Sequence, residues 1–199
     1  MTATVRHALR ADLDEMERSL VDAFADDPVM VFMYPDPVTR PERSGAFLRV
    51  MLEIGLTHGH TYAAGPGNDA VAIWAPPDVD LFDDPGVAKL WPVLQDTLGE
   101  RVNEVTAALV QLTALHPHDR GPHFYLGEIG TTTAAQSQGL GSVLLREVLD
   151  RCDRQRLGAY LESSNIRNVP FYERHGFAVI DALELAPGCI VRPMWRDPR

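Results

Sequence analysis

Two glycines in the C-terminal half could bind a ligand through their backbone. Gly139 and Gly141 stand in the run QSQGLG, residues 136–141. Because glycine has no Cβ, a ligand can approach the backbone N–H groups closely. The apolar spacing that follows predicts a helix to about Arg156, and the free N–H groups and dipole of a helix N-terminus favour a phosphate. Taken alone, the pattern fits a phosphate-binding turn or a plain tight turn.

Other chemistries find less support in the sequence. There is no GxxxxGK[ST], since Lys89 is the single lysine, and no GxGxxG opens a βαβ unit. Cys152 and Cys189 fall in a helical and a strand-like stretch, so we predict buried thiols rather than covalent nucleophiles. No HExxH or close cysteine pair indicates zinc. His116 and His118 stand in a Pro-interrupted segment that we predict to be a solvated loop.

The elements that must position this loop follow from hydrophobic periodicity and turn residues. The loop lies between a predicted strand and the helix just described, in a chain of mixed α/β order. The segment 29–37 is apolar and Pro-rich, and we interpret it as a loop. Strands are predicted over 4–8, 60–64, 70–75, 124–131, 159–163, 177–183 and 189–195. Further helices are predicted after Asp12, over 41–57, over 85–115 with a break at Pro92 or Gly99, and over 169–175.

A second motif follows about thirty residues after the loop. QSQGLG fits the pattern Q/R-x-x-G-x-G/A, and residues 165–177 read NIRNVPFYERHGF. Together the two motifs resemble the GNAT superfamily of N-acetyltransferases, which use acetyl-coenzyme A. The run LESSNIRNVPFYERHGF, with Trp74, Pro76 and the late Met194-Trp195, is similar to the puromycin N-acetyltransferase subgroup. The resemblance implies an α/β fold with a mixed, mostly antiparallel central sheet, a splayed cofactor-binding strand and flanking helices.

The resemblance also implies roles for the matching positions. The backbone of Ile129, Gly130 and Thr131 is expected to hydrogen-bond the pantetheine arm, and Asn165 is expected to contact the cofactor. Tyr172 matches a tyrosine that lies near the cofactor sulfur and protonates it as it leaves; the alternative is an aromatic core residue. The residues expected to wrap the pyrophosphate are Gln136, Ser137, Gln138, Gly139, Leu140, Gly141 and Ser142. Ser137 stands where many relatives have an additional glycine.

Acetyl transfer to an amine requires a neutral nitrogen and an acceptor for its proton. A lysine-type amine of pKa ~10.4 is about 4.6 kcal/mol from its neutral form at pH 7, against ~1–1.4 kcal/mol for an α-amine. Glu162, at the end of a predicted strand, is the first candidate for the base, and Glu128 is the second. Strand alternation predicts Phe124, Leu126 and Glu128 on one face, where Glu128 could instead be solvated or paired.

The acceptor site is expected in the segment between the first two predicted helices. Asp27, Phe32 and Tyr34, together with Glu128, are the candidate substrate contacts. Met30, Phe32, Met33 and Tyr34 would form an apolar wall, and Asp26 and Asp27 would add negative charge. The alternative is that this segment only caps the core.

Composition narrows the classes of partner. The chain has 199 residues, 18 Lys and Arg against 28 Asp and Glu, and a net charge of −10. Such a chain offers no electrostatic match to a phosphate backbone. No apolar run approaches the ~20 residues that span a bilayer, and no signal peptide is indicated. We therefore expect one cytoplasmic domain over 1–199, monomeric or homodimeric, without a metal and without nucleic-acid or membrane partners.

One function and two alternatives follow. We expect an acyltransferase that moves acetyl from acetyl-coenzyme A to a primary amine of a small molecule, such as an aminonucleoside-like or other antibiotic amine. Without a positioned nucleophile, the amine attacks the thioester directly in a ternary complex. The alternatives are a non-catalytic acyl-coenzyme A-binding sensor and a protein N-acetyltransferase.

Overall fold

A mixed eight-stranded sheet forms the centre of the computed structural model, which describes residues 4–199. The strands are β1 (Val5–His7), β2 (Thr61–Ala64), β3 (Ala70–Ala75), β4 (His123–Thr131), β5 (Gly158–Ser163), β6 (Ala178–Val179), β7 (Leu183–Ala186) and β8 (Cys189–Arg196). Their order is β1-β2-β3-β4-β5-β8-β6, with β7 also paired to β8. β4 and β5 run parallel and the other pairs antiparallel. The predicted mixed, mostly antiparallel sheet is confirmed.

Helices cover both faces of the sheet. They are α1 (Leu13–Ala23), α2 (Pro28–Met33), α3 (Arg40–Thr57), α4 (Asp84–Leu98), α5 (Val102–Thr113), α6 (Leu140–Gln155) and α7 (Val169–Arg174). Helices α1 to α5 share one hydrophobic core with the sheet, and α6 and α7 share the other. Among the helices within residues 4–199, none is both long and apolar enough to cross a membrane.

The segment predicted as a loop over 29–37 contains helix α2. Asp27 caps this helix, because its Oδ1 accepts hydrogen bonds from the backbone N–H groups of Val29 at 2.9 Å and Met30 at 3.3 Å. Pro28 occupies the first turn, where the missing N–H costs nothing. The loop prediction was wrong over residues 29–33, because Pro28 begins a helix there. The two prolines inside the predicted loop, Pro35 and Pro37, follow α2.

The predicted break in the long helical stretch 85–115 lies at Gly99. Gly99 has φ +56°, in the left-handed region, and separates α4 from α5. Pro92 lies inside α4 without interrupting it, on an exposed face. Of the two alternatives from the sequence, the glycine is the one that ends the helix.

The strand predicted over 177–183 is instead two short strands. β6 pairs with the end of β8 and β7 with its beginning, so one long strand serves two partners. Between them the Asp181 side chain accepts a hydrogen bond from the backbone N–H of Ala182 at 2.7 Å. Side-chain bonding of this kind to a nearby backbone N–H competes with the ladder, which explains the interruption.

Strand β4 has two irregularities that shape the site. Ile73 pairs with Glu128 while Trp74 pairs with Leu126, so Gly127 is an extra residue that forms a β-bulge. On the other side, the ladder with β5 ends at Leu126 and Leu161, although β4 continues to Thr131. Beyond that pair the two parallel strands diverge and open a wedge in the sheet.

Candidate active site

A cleft of about 770 Å³ lies beside the C-terminal half of β4, where it has left β5. The cleft is lined by the predicted cofactor residues Ile129, Gly130, Thr131, Gln136, Ser137, Gly139, Leu140, Gly141, Ser142 and Asn165. Gln138 is the exception. Its side chain is exposed and donates a hydrogen bond to the Ala134 carbonyl at 3.1 Å. The structure therefore brings ten of the eleven predicted positions together around one cleft.

The loop before α6 turns its backbone toward this cleft. Ser137 and Gly139 have φ of +63° and +83°, and α6 begins at Leu140 with Gly139 as its N-cap. The first N–H groups of a helix lack intrahelical acceptors, so those of Leu140 and its neighbours are available to an anion. A Cβ built on Gly139 would meet no atom within 4 Å, which leaves that space for a ligand.

Gly139→Val is expected to weaken binding of acetyl-coenzyme A at least tenfold, because the added methyl groups would fill the space that we assign to the pyrophosphate. Isothermal titration calorimetry measures the affinity. Gly188→Val is the matched control: Gly188 has φ +82° and equally open surroundings, but lies outside the cleft. If the folded Gly139→Val variant binds acetyl-coenzyme A with wild-type affinity, as the control is expected to do, the pyrophosphate does not lie at Gly139.

Helix α1 packs closely against β4 at Gly130. A Cβ on Gly130 would lie 2.9 Å from the side chains of both Ala23 and Leu20, so any larger residue would displace the helix. The same close approach brings the end of α1 to the rim of the cleft, where Ala23 and Phe24 form part of its wall. Gly130 therefore has a packing role in addition to the backbone role predicted from the sequence.

Two arginines that the sequence analysis did not single out line the opposite wall. Arg167 lies two residues before the short helix α7 and Arg174 is its last residue, and both are exposed at the cleft. Asn165 lies at the start of this wall, where its Oδ1 accepts a hydrogen bond from the Arg167 N–H at 3.0 Å. These guanidinium groups supply positive charge suited to phosphate. Both arginines belong to the second motif, residues 165–177, and their position there could have indicated that they bind phosphate.

A smaller cavity of about 140 Å³ adjoins the cleft and extends under the face covered by α1 to α5. Five residues line both spaces: Phe24, Asp27, Ile129, Asn168 and Tyr172. Much of the remaining wall is apolar, contributed by Val29, Met30, Met33, Phe47, Met51, Phe82, Leu109, Leu112 and Val191. Three carboxyl groups, from Asp27, Glu128 and Glu162, also line it. The arrangement offers a long cleft for one molecule and an acidic, apolar-walled cavity for a second.

Tyr172 lies where the two spaces meet. Its side chain is buried, and its ring contacts Phe171 and Phe177 edge-on at centroid distances of 5.2 and 6.2 Å. Burial raises the pKa of the Tyr172 hydroxyl above its ordinary value, and the charges of Asp27 and Glu128 raise it further. The hydroxyl therefore stays protonated at neutral pH and can donate a proton.

Glu128 lines the cavity because of the bulge at Gly127. The expected alternation along β4, with Glu128 on the face of Phe124 and Leu126, is wrong, since the extra residue shifts Glu128 to the opposite face. Burial raises the pKa of Glu128 to about 8, and the negative charges of Asp27 and Glu162 contribute. A carboxyl group with this pKa can exchange a proton near neutral pH.

Glu162 lies on β5 with two tyrosines beside it. Burial raises the pKa of Glu162 to about 7, although hydrogen bonding with the hydroxyls of Tyr125 and Tyr160 acts in the opposite direction. Behind these tyrosines, His116 packs edge-on against both rings, and its Nε2 lies 2.8 Å from that of His123. The prediction of a solvated loop is therefore wrong at His116, because this ring packs into the aromatic cluster.

Asp27 fixes the junction between the cleft and the cavity. Its Oδ1 caps α2, and its Oδ2 accepts a hydrogen bond from the Ser164 hydroxyl at the end of β5. Only 8% of the residue is exposed, and burial raises the pKa of its carboxyl group. Asp27 therefore ties α2 to the strand that carries Glu162.

Two of the predicted substrate contacts lie away from the cavity lining. Tyr34 is buried in the core, where its hydroxyl is 3.2 Å from Thr97 Oγ1. Phe32 packs under the Arg101 guanidinium at 5.4 Å from the ring centroid, and its carbonyl accepts a hydrogen bond from the same side chain at 2.7 Å. The apolar wall of this segment includes Met30 and Met33 instead, because residues three apart share the buried face of the helix α2.

Both cysteines are buried, as predicted. Burial raises the pKa of Cys152 to about 12 and that of Cys189 to about 11, so neither provides a thiolate near neutral pH. Within residues 4–199, no group of three or more His, Cys, Asp or Glu side chains is arranged to hold a metal ion.

Comparisons with known proteins agree with this geometry. A family model described as the acetyltransferase (GNAT) family matches residues 73–177, slightly more than half of the chain. An uncharacterized N-acetyltransferase of Schizosaccharomyces pombe is 28% identical over 185 residues, covering 87% of this chain and 74% of that protein.

Solved structures share the fold over the whole chain. A structure described as histone acetyltransferase HPA2 and related acetyltransferase, from Corynebacterium glutamicum, has a TM-score of 0.69 and 26% identity, covering 100% of this chain and 98% of the other. The polyamine N-acetyltransferase of Drosophila melanogaster has a TM-score of 0.65 and 15% identity, covering 98% and 99%.

Proposed function

Since this chain belongs to the acetyltransferase (GNAT) family, we propose that it transfers the acetyl group of acetyl-coenzyme A to a primary amine of a small molecule. The observation that carries the proposal is the junction at Tyr172, where a cleft with the backbone features for a phosphorylated arm meets an acidic cavity. Acetyl-coenzyme A would occupy the cleft, with the thioester at this junction. The amine would enter from the cavity.

The cleft residues support this placement of the co-substrate. The free edge of β4 at Ile129 to Thr131 offers backbone groups to the amides of the pantetheine arm. The N–H groups at the start of α6 and the guanidinium groups of Arg167 and Arg174 offer positive charge to its phosphates.

The reaction is direct attack within a ternary complex. As the new C–N bond forms, a glutamate in the cavity accepts a proton from the nitrogen. As the C–S bond breaks, its electron pair stays on sulfur, and the Tyr172 hydroxyl supplies the proton that makes the free thiol. Either Glu162, the first choice from the sequence, or Glu128 has a pKa suited to accept the proton. The raised pKa values of both cysteines argue against a covalent acyl-enzyme.

A small acceptor suits the cavity. The space is narrow and largely apolar, and the Drosophila polyamine N-acetyltransferase shows that this fold accommodates enzymes named for small amines. The run 161–177 also resembles puromycin N-acetyltransferases, so amines of aminonucleoside antibiotics belong to the same proposal. A protein amine is the second candidate, because the Corynebacterium relative is described as a histone acetyltransferase.

Thiol release from acetyl-coenzyme A, measured over a panel of amines, tests the proposal. The panel contains aminonucleosides, aminoglycosides, polyamines, amino acids and a lysine-containing histone peptide. After background hydrolysis is subtracted, we expect the rate of thiol release with at least one small amine to be at least tenfold higher than the rate with the peptide. Tight acetyl-coenzyme A binding without turnover of any amine would contradict the proposal and favour the acyl-coenzyme A sensor. Preferential acetylation of the peptide would favour the protein acetyltransferase.

A further inference from the structure

The acidic cavity holds more carboxyl groups than acetyl transfer requires, and this bears on the class of acceptor. Resting on the proposed function, we propose that the acceptor is an alkyl diamine or a similar amine with a second positive charge. Glu128 accepts the proton of the attacking amine, and Glu162 binds the second charge at the far end of the cavity.

The charge inventory of the cavity is the first argument. Asp27, Glu128 and Glu162 line it, while no lysine, arginine or histidine is among its described lining residues. Asp27 is already engaged, because its two oxygens accept hydrogen bonds from the α2 backbone and from Ser164. Proton abstraction uses only one of the two other glutamates. The hydroxyls of Tyr125 and Tyr160 favour the carboxylate form of Glu162 by hydrogen bonding. Burial disfavours the charged form of a second carboxyl group, and a cationic ligand would favour that form again.

The positions of the two glutamates give them different roles. The charges of Asp27 and Glu128 act on the Tyr172 hydroxyl, which places Glu128 on the side of the reacting thioester. Glu162 acts instead on the Tyr160 hydroxyl and, together with Glu128, on the Tyr125 hydroxyl. The attacking nitrogen must lie near Tyr172, so Glu128 is the nearer base and Glu162 the more distant charge.

The spacing between these positions suits a short alkyl chain. Leu126 and Leu161 form the last pair between β4 and β5, and the two glutamates follow on the diverging ends of these strands. Neighbouring strands lie ~4.8 Å apart and each residue advances ~3.3 Å, so the two backbone positions are separated by roughly 6 Å or more. Three to five methylene groups between two nitrogens span a comparable distance.

The walls between the two carboxylates favour methylene groups over polar scaffolds. The side chains of Met30, Met33, Met51 and Phe47 belong both to the core under α1 to α5 and to the cavity lining. Methionine side chains adapt to a flexible chain, and they offer no hydrogen bonds to the hydroxyl groups of a sugar. The cavity thus combines carboxyl groups with a largely apolar wall.

Two matched amines test this inference: 1,4-diaminobutane and n-butylamine, which differ only in the second amino group. We expect the wild-type kcat/KM to be at least tenfold higher for the diamine. In Glu162→Gln the preference should fall to about threefold or less, through a higher KM for the diamine. Glu147→Gln removes a charge from the exposed face of α6 and should leave the preference unchanged.

A charge-retaining variant separates a charge site from a folding defect. Glu162→Asp keeps the carboxylate but shortens the side chain by one methylene, so selectivity over the monoamine should persist and shift toward 1,5-diaminopentane. Calorimetric titration of both amines in the presence of coenzyme A measures the same preference without turnover. The thermal unfolding midpoint of each variant identifies any that fails to fold.

The outcomes distinguish this inference from the proposed function. Equal kcat/KM for the two amines in the wild-type enzyme would overturn the inference and leave the acetyltransferase proposal standing. An equal loss with both amines in Glu162→Gln would identify Glu162 as the base and also overturn it. If no amine is acetylated, the proposed function fails, and the titration alone decides whether Glu162 binds a second charge.

Discussion

Tyr172→Phe is expected to lower kcat about a hundredfold at pH 7, which corresponds to ~2.7 kcal/mol of transition-state stabilisation. The departing thiolate belongs to a thiol of pKa ~8.5, so its formation at neutral pH is only ~2 kcal/mol uphill. General acid catalysis contributes ~10²–10⁴-fold, and a leaving group this acidic calls for the lower end of that range. Because Tyr172 stays protonated in its buried position, removal of its hydroxyl removes the proton donor.

Pre-steady-state and steady-state measurements with one amine acceptor check this prediction, since they separate chemistry from product release. The KM for acetyl-coenzyme A should change little, because the aromatic ring remains. Tyr62→Phe is the control: its hydroxyl lies 3.2 Å from His60 Nδ1, and Tyr62 lines neither space of the candidate site. Full activity in Tyr172→Phe would make Tyr172 a core residue, the alternative that the sequence left open.

The cleft was the most predictable part of the site because its features are local in sequence. A glycine at a helix N-terminus, with φ +83° at Gly139, follows from a few neighbouring residues. The apolar spacing of α6 fixes where the helix begins and therefore where its free N–H groups lie. Ten of eleven predicted positions met around one cleft for this reason.

The acidic cavity was harder to predict because it depends on contacts between distant segments. The bulge that redirects Glu128 is a register shift between β3 and β4, and periodicity within β4 alone cannot indicate it. Tyr34 was expected in the acceptor wall, yet its partner Thr97 lies 63 residues away in α4. Alternation and composition describe one strand or segment at a time, whereas these side chains are directed by the packing of several.

Glu128→Gln tests whether Glu128 accepts the proton of the attacking amine. Thermal unfolding of the same variant gives an independent measurement of its stability. Glu128 has a folded pKa of about 8 against an ordinary value of 4.5, so its neutral form is favoured in the fold. The stability that this preference contributes is complete below pH ~4.5 and is lost as the pH rises through about 8. Glutamine cannot ionise. We therefore expect the variant to unfold at a temperature higher than wild type by at least ~2 °C at pH 9, with a smaller difference at pH 5.

The activity of the same variant should change in the opposite direction. In the wild-type enzyme the carboxylate form accepts the proton, so kcat/KM expressed per neutral amine should rise about tenfold per pH unit below pH 8 and then level off. Glu128→Gln is expected to lose about a hundredfold of kcat/KM at pH 8 and to lose that inflection, with both 1,4-diaminobutane and n-butylamine. Glu162→Gln provides the contrast, since its loss should be larger with the diamine than with n-butylamine. The contradicting outcome is a Glu128→Gln variant that gains stability at pH 9 but keeps the wild-type pH profile. In that case the buried charge would have been removed without any effect on proton transfer, so Glu128 would not be the base.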